Sequence, residues 1–326
     1  MYTGKGLSVE DICFEQRHID EVLARIKVNF DSVFKEYIET HAGKDVSDID
    51  FSKLQKKFGV KAEKKSPAKN LSANYKEIIR EAIDDFEHDR DAYKKIMNLE
   101  VLEDYDEDAS TFKSKVLRNE CPIIRKTIAN TKAKELDKYR ASFNHADPEW
   151  LLQIVTRLCE FGESYYEKYD QTKYENIAKY EELQLQLLDT EDYTAFGVIG
   201  GGIKTHILYK IYPGLFPNRS RNAIWAFWYL TDKKAFGCKT DSEFLMIDIK
   251  KTITQQNYFY PYELFAYYAF EIYKMLRDKA EDLSAYIDTD YRYVLVDSFL
   301  DFVAMKHDNE ISFLKSQIKD GGMGYV

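Results

Sequence analysis

Apolar residues return every three or four positions over long stretches of this chain, and that spacing commits most of it to helix. Ile19, Val22, Leu23, Ile26, Phe30, Val33, Phe34 and Tyr37 mark one face of a helix reaching about Thr40. Ser8-Val9-Glu10-Asp11 has the form of a capping box that would open it. Tyr75, Ile78, Ile79, Ala82, Ile83 and Phe86 repeat the pattern within a helix expected over Leu71–Leu102. A shorter helix is expected between Asp45 and Phe58. Between them lies Lys61–Asn70, polar, lysine-rich and broken by Pro67, which reads as a basic loop.

Phe112–Arg140 reads as a basic helix that Pro122 kinks or restarts. Asp147 and Pro148 then form a start signal, an N-cap followed by proline in the first turn, for a helix burying Trp150, Leu151, Ile154, Val155 and Leu158. The charge turns from basic to strongly acidic there, so the expected division is a helical domain over 1–145 and a larger helical domain over 146–326. The fold class is mainly α, a multi-helix two-domain protein with little or no sheet.

The most distinctive local grammar lies in Phe196–Arg221, FGVIGGGIKTHILYKIYPGLFPNRSR. Gly200, Gly201 and Gly202 precede Ile203, Ile207, Leu208 and Ile211, whose spacing gives a helix ended by Pro213. Glycine permits a tight turn and a close backbone approach, and the free amides at a helix start favour a phosphate. Between Gly197 and Thr240 the cations Lys204, Lys210, Arg219, Arg221, Lys233, Lys234 and Lys239 face the single acid Asp232. The whole chain carries −9, so this is a local basic island on an acidic protein.

Gly200-Gly201-Gly202-Ile203-Lys204-Thr205 resembles the turn of a helix-hairpin-helix element, and the continuation through Leu208, Pro213 and Phe216-Pro217 is similar to hairpin-bearing DNA-binding proteins of the glycosylase type. The likeness is confined to residues 196–221 and offers no counterpart of the glycosylase aspartate. It implies two short helices joined by the glycines, with Gly200, Gly201, Gly202, Lys204 and Thr205 holding backbone phosphate and Lys210, Arg219 and Arg221 flanking it. Nucleic acid, DNA in preference, is then the expected partner. A prokaryotic DNA-processing or phage-defence complex, with a possible protein partner, is the implied setting.

Other segments offer competing chemistry. Glu243–Lys250, an apolar run ending Asp248-Ile249-Lys250, resembles the back half of a PD-(D/E)xK nuclease core, with Asp232 upstream as a further carboxylate for magnesium. Arg140 and His145 have the spacing of HEPN ribonucleases, placed at a helix end. Asp104, Asp106 and Asp108 imitate a calcium loop, but Ala109 and Lys115 occupy the positions that need glycine and glutamate. Trp225 and Trp228, near Arg219 and Arg221, suit either core packing or base stacking. A helical subunit binding another protein through its aromatic surface is the third reading, and whether the chain is an enzyme stays open. No cofactor or metal is expected. Cys13, Cys121, Cys159 and Cys238 are widely spaced and fit a reducing cytoplasm, and no apolar run is long enough to span a membrane.

Overall fold

In the computed structural model, which describes residues 12–42, 67–234, 244–248, 253–256 and 260–316, the first apolar stripe forms helix α1 (Gln16–Ala42). It buries Ile19, Val22, Ile26, Phe30, Phe34 and Tyr37 against α2 (Pro67–Glu87), which supplies Tyr75, Ile78 and Phe86. Proline needs no amide partner in a first helical turn, so Pro67–Asn70 begin α2 rather than completing the basic loop. Lys61–Ser66, like the helix expected over Asp45–Phe58 and the Ser8 capping box, lies outside the described residues.

The helix expected over 71–102 is three helices. After α2, α3 (Arg90–Ile96) and α4 (Leu99–Glu103) follow, and at each break a side chain turns to a partner of its own. Asp89 turns its carboxylate to Lys210 and Lys126. Asn98 leaves the helix to accept the Glu100 amide at 2.9 Å as a cap. The basic segment is likewise divided into a π-helical stretch (Phe112–Glu120), α5 (Pro122–Ala129) starting on its proline, and α6 (Asp137–His145). In α7 (Pro148–Glu167) the Asp147 side chain accepts the Trp150 amide at 3.0 Å, the expected cap. Leu151, Ile154, Val155 and Leu158 are buried, whereas Trp150 is exposed beneath the Arg157 guanidinium.

After α8 (Gln171–Glu175) the chain runs through three 3-10 turns, Tyr180–Leu183, Gln186–Asp189 and Glu191–Tyr193. Then come α9 (Gly201–Ile211), α10 (Arg221–Leu230), a two-stranded antiparallel hairpin of β1 (Leu245–Asp248) and β2 (Ile253–Gln256), α11 (Tyr262–Asp282), α12 (Arg292–Lys306) and α13 (Asp308–Ser316). The fold is mainly α. Helix α12 packs against α10, α11, α1 and α2, so one continuous core draws residues from both halves of the chain. It buries Tyr293, Val294, Leu295, Val296, Phe299, Leu300 and Val303, apolar on nearly every side as a central helix must be. That same helix carries Arg292, Asp297 and Asp301 inward, which sets up the chemistry below.

Candidate functional site

The glycines stand at the start of α9 and not in a turn between two α-helices. What precedes them is the last 3-10 turn and a tight loop in which Ala195 and Ile199 pair through their backbones, with Gly197 at φ +77°. Gly200 is the N-cap, extended at φ −94° and ψ −171°, and Gly201 and Gly202 are the first two helical residues. All three are partly exposed, and no side chain caps the helix start. Its amides therefore lie at the positive end of the helix dipole without a side-chain acceptor.

The cations expected around this corner mostly point inward. Lys204, Lys210 and Arg219 are 4%, 6% and 7% exposed, and Thr205 is fully buried. Lys204 donates Nζ to the Leu188 carbonyl and to Thr194 Oγ1 at 3.1 Å. Burial pulls its amine down to about 8, against the opposing charge of Asp189. Thr205 donates to the Gly201 carbonyl at 2.7 Å and accepts the Arg219 amide, the habit of a helical threonine. Lys210, nine residues along and so roughly 13 Å from the glycines, pairs with Asp89 at 2.7 Å and donates to the Phe86 carbonyl at 2.8 Å. The Arg219 guanidinium packs over Gly201, where an added Cβ would meet Nη1 at 3.3 Å. Asp189, raised by burial, accepts the Tyr262 amide at 2.8 Å and feels the charges of Arg219 and Lys204. Arg221 is exposed on the first turn of α10.

The other end of α9 forms a second site. His206, Tyr209 and Lys210 line a cavity of about 680 Å³ together with residues of α1, α2 and α12. Asp297 and Asp301, one turn apart on α12, face into it. Asn218 donates Nδ2 to both Asp297 oxygens at 3.2 Å, and its Oδ1 lies 3.4 Å from His206 Nδ1. His206 Nε2 lies 3.2 Å from the Tyr93 hydroxyl. Burial, then the charge of Lys210, hold the imidazole down at about 4, so it is neutral at physiological pH. Burial, then the neighbouring Asp301, push Asp297 up to about 8, and burial raises Asp301 as well. Sequence reading missed this pair. Its signal was two acids four residues apart in the apolar run Tyr293-Val-Leu-Val-Asp-Ser-Phe-Leu-Asp-Phe302.

The remaining candidates are not brought together. Asp232, at φ +57°, accepts from Asn29 at 2.9 Å and pairs with Arg25 on α1. Asp248 ends β1 opposite Ile253, and Lys250 lies outside the described residues. Arg140 donates to the carbonyls of Asn130 and Ala133, tying a loop to α6, while His145 is exposed at the helix end. Trp225 and Trp228 are buried in the core. Asp108 caps Thr111 at 3.1 Å. Among the described residues no three His, Cys, Asp or Glu side chains are grouped to hold a metal ion, and no helix is long and apolar enough to cross a membrane. No protein-family model, curated protein or solved structure matches this chain.

Proposed function

We propose that this protein binds nucleic acid through backbone phosphate at the start of α9. The observation that carries the reading is the run of glycines at N-cap, N1 and N2, partly exposed and uncapped by any side chain. Such a helix start offers several amides and a positive dipole end to one phosphate. Lys204, Thr205 and Lys210 are engaged inside the protein, so the contact reduces to Gly200, Gly201 and Gly202, flanked by Arg219 and the exposed Arg221. Phe196, three-quarters exposed on the loop just before the glycines, adds an aromatic face on which a base can stack. DNA as the preferred strand and a prokaryotic DNA-processing or phage-defence complex as the setting follow from the helix-hairpin-helix resemblance alone.

The test is fluorescence polarisation with short duplex and single-stranded DNA and RNA at two salt concentrations. Binding that weakens with salt is expected, because phosphate contacts release counterions. Gly202→Glu places a carboxylate where the phosphate would lie, in a first helical turn that tolerates acids. It is expected to lower affinity by about tenfold or more, a loss of ~1.4 kcal/mol. Phe196→Ala should weaken single strands more than duplex. No binding to any of the four, or full binding by Gly202→Glu, rejects the reading.

A further inference from the structure

The cavity at the far end of α9 is acidic, and among the described residues no ammonium or guanidinium pairs directly with its two innermost acids, although the charge of Lys210 is felt by Asp297. Its two lysines are engaged elsewhere, Lys210 with Asp89 at 2.7 Å and Lys306 with Glu36 at 2.5 Å. Asp297 and Asp301 are held by neutral donors, Asn218 at 3.2 Å and Asn222 at 3.0 Å, with the Tyr209 hydroxyl as a further donor to Asp297. Among the described residues no Lys or Arg forms an ion pair with either carboxylate. His206 does not supply the missing charge either, since it is neutral. Asp85 on α2 adds a third acid to the wall. Two carboxylates this close are costly to ionise together, so Asp297 keeps its proton, and a cation in the water-accessible space beside them would let both ionise.

The rest of the lining decides which cation. Phe302, partly exposed on α12, presents aromatic surface beside the acids, with the fully buried Tyr37 ring behind it at 5.3 Å between centroids and the exposed Met305 along the same lining. Aromatic faces attract organic cations, and the volume falls in the range of roughly 300–1,000 Å³ usual for small-molecule sites. An inorganic divalent ion fits poorly, because nearby oxygen ligands are too few.

We propose that this cavity binds a small organic cation, an amine or guanidinium compound, whose charge is shared by Asp297 and Asp301 and whose carbon skeleton lies against Phe302 and Met305. The site is independent of the phosphate contact at the glycines. Binding displaces the Asp297 proton into solvent, since an adjacent ammonium favours the ionised acid. Asp301, Asn218, Tyr209 and Lys210 act on that carboxylate directly, and the other titratable groups along the cavity are Glu36 and Tyr37 from α1, Asp85 from α2, His206 from α9 and Lys306 from α12.

Isothermal titration with spermidine, n-butylamine and magnesium chloride, each in two buffers of different ionisation enthalpy, tests the proposal. Saturable binding of both amines with proton release at pH 7 is expected, together with little response to magnesium. Asp297→Asn and Asp301→Asn should each weaken spermidine by about tenfold or more, while Asp106→Asn, the same charge change at an exposed site, should not. Thermal melts separate loss of the site from loss of the fold, because Asp297→Asn is expected to melt no lower than the parent. No saturable amine binding, unchanged binding in both asparagine variants, or magnesium binding tighter than either amine overturns it.

Discussion

The ammonium of Lys204 donates to the Thr194 hydroxyl at 3.1 Å and is buried there, engaged inside the protein and not offered to a phosphate at the helix start. Lys204→Met should leave the Leu188 carbonyl and the Thr194 hydroxyl short of a donor, at about 1–3 kcal/mol. The pH dependence is the sharper mark. The unfolded amine keeps its proton to about pH 10.5, whereas the folded one yields it near 8. Between those values the unfolded chain binds more protons, so stability rises with pH. From pH 8 to 9.5 the parent should gain about 1.5 kcal/mol relative to Lys204→Met, measured by urea unfolding at each pH.

Arg219 over Gly201 bears on why three glycines open this helix. A methyl at Gly201 would stand 3.3 Å from Nη1, and the guanidinium would have to retreat. Glycine in a helix costs roughly 0.5–1 kcal/mol against alanine. Gly202→Ala should therefore raise stability by up to that amount, and Gly201→Ala by less. If the glycines exist for close approach of a phosphate, both variants melt higher and bind nucleic acid more weakly. A rise in both stability and affinity would remove the reason for the glycines.

The helical class was legible because period alone carries it: α1 buries the residues its stripe names, with only Val33 left half-buried. Start signals carried boundaries too, as at Asp147-Pro148. The breaks at Asp89 and Asn98 were not legible, because each depends on a side chain leaving the helix pattern for a partner of its own, distant Lys210 in one case and a local amide in the other. The site suffered from the same blindness. Charge counting along Gly197–Thr240 treats every lysine as surface, yet Lys204 and Lys210 reach carbonyls and carboxylates contributed by residues 188 and 86–89. Asn218 gave no signal at all, since its partners His206 and Asp297 meet only through tertiary packing.

Arg292 is fully buried and joins three segments. Its guanidinium donates to Gly214, to the Tyr169 hydroxyl at 3.1 Å and to Glu175 at 2.6 Å, and it lies 4.5 Å from the Tyr174 ring centroid. Removing one partner of a buried pair costs about 3–5 kcal/mol. Glu175 keeps Arg277 at 2.8 Å, so Arg292→Met should fall at the low end, about 3 kcal/mol. Arg292→Lys should recover less than half, because an ammonium cannot reproduce the planar fork that reaches all three acceptors. Urea midpoints of the two variants check both values.

Asp297 gives the fold a pH dependence opposite in sign to that of Lys204. In the unfolded chain its carboxyl loses its proton near 3.8, while in the fold it holds it to about 8. Across that window the native state binds more protons, so the contribution of this group is favourable at low pH and is lost as pH rises through 8. The carboxylate faces a cavity that water enters, so the effect is well below the limiting slope of about 1.4 kcal/mol per pH unit. Asp297→Asn should gain on the parent by about 1 kcal/mol between pH 5 and 8 after that screening. Adding spermidine at pH 8 should close the gap, because the ligand stabilises the ionised parent and has lost its partner in the variant. Melting curves at pH 5 and 8, with and without spermidine, decide the matter. A gap that does not change with pH would mean Asp297 titrates normally, and a gap that spermidine leaves open would mean the cavity does not take the cation.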